Sequence, residues 1–315
     1  MIGEPEQAAQ APQPGIILGG NRFGKAEVRL VRIERSHPRF AVPVDLTISS
    51  HLSGELDAVH VDGDNDGVLT TDAQKNTMYA FARDAPIESA ADFGLRLARH
   101  FVETVGSVSR AQVEILTHPW ARLSVDGAPA PHSFMRAGGP TLVSNVTYEA
   151  GRAWVVAGVQ DLVVMNATGS EFKGFLKDPF TTLEETDDRI LATEVRAFWR
   201  YADFAYGEQR ASPLDWEKSA AECQRLLLES FAATYSKSLQ QTLHAMGTRI
   251  LTERPEVAEI RLSMPNKHHY LVDLSRFGRD NPGLVFNAGD RPYGLIEGTV
   301  TREGAPPPGP AWTTW

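Results

Sequence analysis

PTLVSNVTYEAGRAWVVAGVQDLVVMNAT, residues 140–168, is the stretch that decides the fold class. It holds two runs rich in Val and Thr, residues 140–150 and 153–168, which read as strands with only Gly151 and Arg152 between them. A two-residue connection cannot carry a crossover helix, so these strands pair antiparallel. Working outward, AEVRLVRI (26–33) alternates as a strand does, and FAVPVDLTISSHLSG (40–54) reads as a second strand. Helical spacing begins near Thr71 in TDAQKNTMYAFARD (71–84) and resumes over residues 90–108; the strand-like runs QVEILTHPW (112–120) and ARLSVDG (121–127) follow. Downstream of residue 168 a polar insert spans residues 169–188. Two strongly helical runs, 216–235 and 236–251, come next, and then the strand-like runs VAEIRLSM (257–264) and HHYLVDLS (268–275).

Each half therefore reads as strand, strand, helix, helix, strand, strand. Antiparallel hairpins with helices on one face make an α+β fold, not a doubly wound parallel sheet. The expected division is a first domain over residues 19–138 and a second over 139–302, meeting at RAGGP (136–140). A disordered arm is expected over residues 1–18, which are acidic, small and proline-bearing, and an irregular tail over 303–315.

Composition narrows the function classes. The formal net charge is -9, which speaks against a nucleic-acid surface. Cys223 is the single cysteine, so the chain can form no internal disulfide and no cysteine-built zinc or iron–sulfur site, and a reducing, cytoplasmic setting is expected. No apolar run is long enough to span a membrane, and neither a signal-like N-terminus nor a C-terminal Ser-Lys-Leu stands in the sequence.

Two motifs mislead. DGDNDGVLTTD (62–72) begins like an EF-hand calcium loop, but the twelfth position, which needs a bidentate Glu, is Ala73. It reads instead as a polar hairpin turn in which Asn65, Asp66 and Gly67 take left-handed conformations. GGNRFGKA (19–26) matches G-x-x-x-x-G-K, but Ala26 stands where magnesium binding needs Ser or Thr, and a strand rather than a helix follows. Taken alone, Lys25 is a solvated surface lysine. The acidic turn leads into Thr71-Asp72-Ala73-Gln74, which reads as a capping box with Thr71 as N-cap; Ser238-Leu239-Gln240-Gln241 is its counterpart in the second half. Two helix N-termini, one per half, could turn free N–H groups toward an anionic or carbonyl-rich ligand.

Other stretches carry more weight together than apart: FGK (23–25), VLTTDAQKNT (68–77), FKGFLKDPFTTLEETDDRIL (172–191) and NKHHY (266–270). In this order they resemble the urate oxidase (uricase) family over most of residues 23–300. The resemblance implies tandem tunnelling-fold (T-fold) domains and a barrel-like homotetramer with active sites at subunit interfaces. It also implies oxidation of urate by dioxygen to 5-hydroxyisourate and hydrogen peroxide, with no metal or organic cofactor. Residue by residue, it implies that Lys25 and Thr71 form a proton relay completed by His268, with Asp72 a contact at the same helix start. Phe172 would stack on the purine. Arg189 and Gln240 would clamp its opposite edges, the backbone N–H of Leu239 would touch it, and Asn266 would lie over the ring at the dioxygen or water site. Lys173 departs from the pattern, since relatives often carry Trp there; its effect is expected in packing near Phe172 and not in the chemistry.

Singly, each residue has a plainer reading: Phe172 a core aromatic, Arg189 a surface ion pair, Asn266 a turn residue after Pro265. His268 and His269 are adjacent on a strand-like run and face opposite sides, which suits no shared metal. Two other functions fit the residues less well. A zinc-dependent pterin- or purine-handling relative would need a three-ligand cluster of His or Cys, and none is evident. A non-catalytic purine-binding protein would have lost Lys25, Thr71 or His268, all of which are present.

Overall fold

A computed structural model describes residues 15–202, 204–205, 214–289 and 291–312. The first half runs β1 (Phe23–Glu34), β2 (Val42–Gly54), α1 (Asp57–Val61), α2 (Thr71–Asp84), α3 (Ala90–Thr104), β3 (Val108–Thr117), β4 (Trp120–Val125), β5 (Ala128–Arg136) and β6 (Thr141–Glu149). The second runs β7 (Arg152–Asn166), β8 (Leu191–Tyr201), β9 (Phe204–Ala205), α4 (Trp216–Ala233), α5 (Leu239–Glu253), β10 (Val257–Lys267), β11 (His269–Leu271), β12 (Phe286–Ala288) and β13 (Gly294–Thr301).

The α+β expectation holds. Eight strands form one continuous antiparallel path, β1-β2-β3-β6-β7-β8-β10-β13, and β9 pairs beside β7. The decisive hairpin is the middle of that sheet: β6 and β7 pair from Thr141↔Gln160 to Glu149↔Arg152, turning at Ala150 and Gly151, both at positive φ. In strand order the two halves of the sheet are β1-β2-β3-β6 and β7-β8-β10-β13, and residues 138–139 lie in the connection between β5 and β6. The run 121–127 does not close the first half, because it lies in β4, which pairs with β5 off the main sheet. The first strand of each half carries a bulge at a left-handed residue, Glu27 (φ 56) in β1 and Asp161 (φ 62) in β7.

Helices cover one face. α3 buries Phe93, Leu97, Ala98 and Phe101 completely, with Gly94 lying close over Val146 of β6. α5 lies on β10 and β13 through Gly247, where a Cβ would stand 2.5 Å from Val300. Cys223 is in this core, and burial pushes its thiol up to about 12. The other face carries polar residues, among them Arg29, Thr47, Gln112 and Asn145. Much of the expected irregular tail is ordered there: a turn at Gly309–Trp312 packs Ala311 and Trp312 against Trp154, Val156 and Phe198. Among the described residues no helix is long and apolar enough to cross a membrane. The arm expected over residues 1–18 lies outside the described residues as far as residue 14.

Candidate active site

One group of candidate residues gathers where β1 meets the start of α2. Lys25 stands opposite Ser50 in the β1–β2 register. Gly24 before it permits that approach, since a Cβ there would fall 1.7 Å from the Ser50 carbonyl oxygen. The helix start differs from the sequence expectation. Thr70, not Thr71, is the N-cap, its hydroxyl accepting from the Ala73 N–H at 3.1 Å. Thr71 is the first helical residue, and Gln74 is one place too late to close a capping box. Thr71 and Asp72 are exposed. The Asp72 carboxylate accepts from Lys75 Nζ at 2.6 Å and Asn76 Nδ2 at 3.0 Å. The Lys75 ammonium, with help from the Lys25 charge, holds it below the usual carboxylate range.

The acidic turn before this helix is not a hairpin. The short helix α1 leads into it, Gly63 alone of its residues is left-handed, and the Asp64 carboxylate accepts from the Asp66 N–H at 3.0 Å. Among the described residues no group of three His, Cys, Asp or Glu side chains is placed to hold a metal ion.

The second group is assembled by the polar insert. Its two ends pair through Phe172 and Thr186, at 2.9 and 3.0 Å, and dock on the α4–α5 connection through a parallel bridge between Ser170 and Ser236. Thr168 Oγ1 and the Gly169 N–H both donate to the Asp188 carboxylate, at 2.7 and 3.0 Å. This frame sets Arg189, whose N–H donates to the Ser170 carbonyl at 2.8 Å, with its guanidinium carbon 5.1 Å from the Phe172 ring centroid. Phe172 stacks on Phe175 at 5.0 Å. Arg189 Nε is buried without a hydrogen-bond partner among the described residues, and burial works against the guanidinium charge. Lys173 turns to the frame and not to Phe172, pairing with Asp187 and, at 3.4 Å, with Glu171.

Ser238 caps α5 as expected, accepting from the Gln241 N–H at 3.2 Å. Leu239 is buried and anchors the helix start, while Gln240 beside it is exposed. Asn266 lies on β10 opposite Thr193 of β8, and His268 just beyond the strand. Burial, then the Arg189 charge, then His269 lower the His268 pKa, so its imidazole is neutral at pH 7.

The chain thus brings Phe172, Arg189 and His268 together, with Leu239 and Gln240 on the helix start beside their frame and Asn266 on the adjoining strand end. It does not bring Lys25, Thr71 and Asp72 to them. β1 is the first strand of the sheet and β10 the seventh, six intervals away, or about 29 Å along the sheet at roughly 4.8 Å per strand. Sequence reading misses Ser50 and Gln74 as parts of the first group, since by type Gln74 reads only as a capping partner.

Comparison with known proteins is consistent along the chain. The Uricase family model matches residues 21–147 and 155–297. The uricase of Arthrobacter globiformis is 43% identical over 298 residues, which cover 95% of this chain and 94% of that one. The uricase of Aspergillus flavus is 34% identical, with coverage of 89% and 95%. The crystal structure of the Arthrobacter globiformis uricase superposes with a TM-score of 0.87 over 94% of this chain and 99% of that one. The urate oxidase of Bacillus sp. TB-90 shares the fold at a TM-score of 0.75 with 19% identity, covering 90% of this chain and 100% of that one.

Proposed function

The chain belongs to the uricase family and is a urate oxidase, and from that premise we propose that each of its sites is built from two copies of the chain, with Lys25, Thr71 and Asp72 from one and Phe172, Arg189, Leu239, Gln240, Asn266 and His268 from the other. The observation that carries this reading is Arg189. A guanidinium half-withdrawn from water, with an unpartnered Nε beside an aromatic face, suits a flat anion. Urate is one: it is planar, anionic at neutral pH and edged with N–H and C=O groups.

In the assembled site Phe172 stacks on the purine, which adds about 0.5–1.5 kcal/mol beyond buried area. Arg189 grips one edge with its donor fork, and the exposed Gln240 amide offers a donor and an acceptor to the other. The α5 N-terminus presents the Leu239 N–H. Asn266 holds dioxygen, and then water, over the ring.

The protein's remaining task is proton transfer. Urate and triplet dioxygen react slowly because of spin, and a further deprotonated urate gives up one electron first. Lys25 and Thr71 together take a proton from urate, and neutral His268 continues the chain. Urate loses two electrons and two protons to dioxygen, which becomes hydrogen peroxide. Water adds to the oxidised ring as 5-hydroxyisourate, so urate, dioxygen and water balance the two products. No metal or organic cofactor takes part. The copies assemble as a homotetramer, and the chain acts in the cytoplasm, in keeping with its one buried free thiol.

Chelator-treated protein incubated with urate in an oxygen cell tests the reading. Urate absorbance and oxygen fall together and peroxide accumulates. Persistence of urate while a purine analogue still binds would overturn the relay.

A further inference from the structure

The two candidate capping boxes are used differently. In the second half Gln241 turns back along its own helix, and its Oε1 accepts from the Lys237 N–H at 2.8 Å. In the first half Gln74 leaves the helix and joins a strand. It is fully buried, and so is Ser50. Ser50 Oγ donates to Gln74 Oε1 at 2.7 Å, and Gln74 Nε2 donates to the Leu69 carbonyl at 3.2 Å. The backbone N–H of Gln74 makes the first helical bond, to the Thr70 carbonyl, at 3.1 Å. One side chain thus holds the segment that delivers Thr71 and ties it to β2.

The other end of the tie is Lys25. Ser50 is its register partner on β2. Its neighbour Ser49 points to the opposite face, where its hydroxyl accepts from the N–H of Glu27, the bulge residue that ends the Lys25 segment, at 3.0 Å. Adjacent serines therefore secure Lys25's strand on one side and Thr71's helix on the other. The Ser50–Gln74 bond is buried and the Gln74–Leu69 bond partly so, and in such dry surroundings a lost partner leaves a buried polar atom unsatisfied.

We infer that Gln74, acting through Ser50, is a positioning residue that fixes the separation of Lys25 and Thr71. The inference rests on the relay reading given above. Misplacing a proton-transfer pair by about 1 Å costs on the order of a hundredfold in rate, so a side chain that sets this spacing governs turnover without touching urate.

The test uses full-length wild type, Lys25→Ala, Gln74→Met and Ser50→Ala, each shown to elute at the wild-type size. Xanthine, which is urate without its 8-oxygen, is the binding probe. Gln74→Met keeps the side-chain volume and loses both bonds. Ser50→Ala keeps Gln74 and serves if Gln74→Met fails to fold. In both, kcat falls about ten- to a hundredfold, xanthine binding stays within about threefold of wild type, and the pH profile of kcat shifts. Ser50→Thr, which keeps the hydroxyl, recovers most of the rate. A lower melting temperature with unchanged kcat and pH profile would reduce the pair to a structural role and overturn the inference. If Lys25→Ala turns over urate as wild type does, the relay reading fails instead, and the two failures are distinct.

Discussion

Two inactive variants should restore each other's activity. Lys25→Ala removes the lysine proposed for proton transfer from one group, and Arg189→Ala removes the proposed clamp from the other. The groups stand six strand intervals apart on one sheet, too far for one chain to close them around a single purine. In a two-fold pair each copy gives its Lys25 group to one site and its Arg189 group to the other. A mixed pair therefore has one site with both changes and one site with neither. Random mixing makes half of all pairs mixed, with one of two sites intact in each, so about a quarter of wild-type activity returns. The assay is oxygen uptake by the whole oligomer population after differently tagged variants are co-expressed at equal levels, with pull-down on both tags verifying that mixed oligomers form. Each parent alone should lie near background. A verified mixed oligomer no more active than its parents would refute the two-copy site.

Other tests are shorter. Burial lowers the pKa of His51, His100, His118 and His268 from the ordinary 6.5. The unfolded chain therefore binds these protons first as pH falls; this stabilisation is complete above 6.5 and declines below it, so the melting temperature should drop steadily from pH 6.5 to 5. Gly24→Ala places a methyl 1.7 Å from the Ser50 oxygen, and thermal or urea melts should show a loss of more than about 3 kcal/mol with activity gone. Lys173→Ala removes ion pairs whose lysine is 46% exposed; stability should change by less than about 1 kcal/mol and xanthine affinity only slightly.

The regular parts of the fold are legible in the sequence because their periodicity survives: α3 repeats its apolar residues every three or four places, and the β6–β7 run leaves no space for a crossover. β8 is not legible because Glu194, Arg196 and Arg200 interrupt a central strand, and the partner that makes Arg200 tolerable there, Glu259 at 3.3 Å, lies far along the chain. β4 resembles a sheet strand, and only tertiary pairing places it off the sheet. The first helix start slipped by one residue because Thr70 and Thr71 are equally good caps by type. Candidate site residues were readable as motifs and not from local physics, since Arg189 or Phe172 alone looks ordinary. Their division into two distant groups is invisible until strand order is known.

In its proposed role Arg189 also sets stability against function. Burying its Nε without a partner costs about 1–3 kcal/mol, and the guanidinium–Phe172 contact returns only about 0.5–1 kcal/mol. Replacing it with Met should therefore give a ligand-free protein that melts higher and binds no urate. Selecting variants for heat resistance alone would favour that change, so a screen for a hardier enzyme must keep urate in the assay or it will enrich inactive proteins.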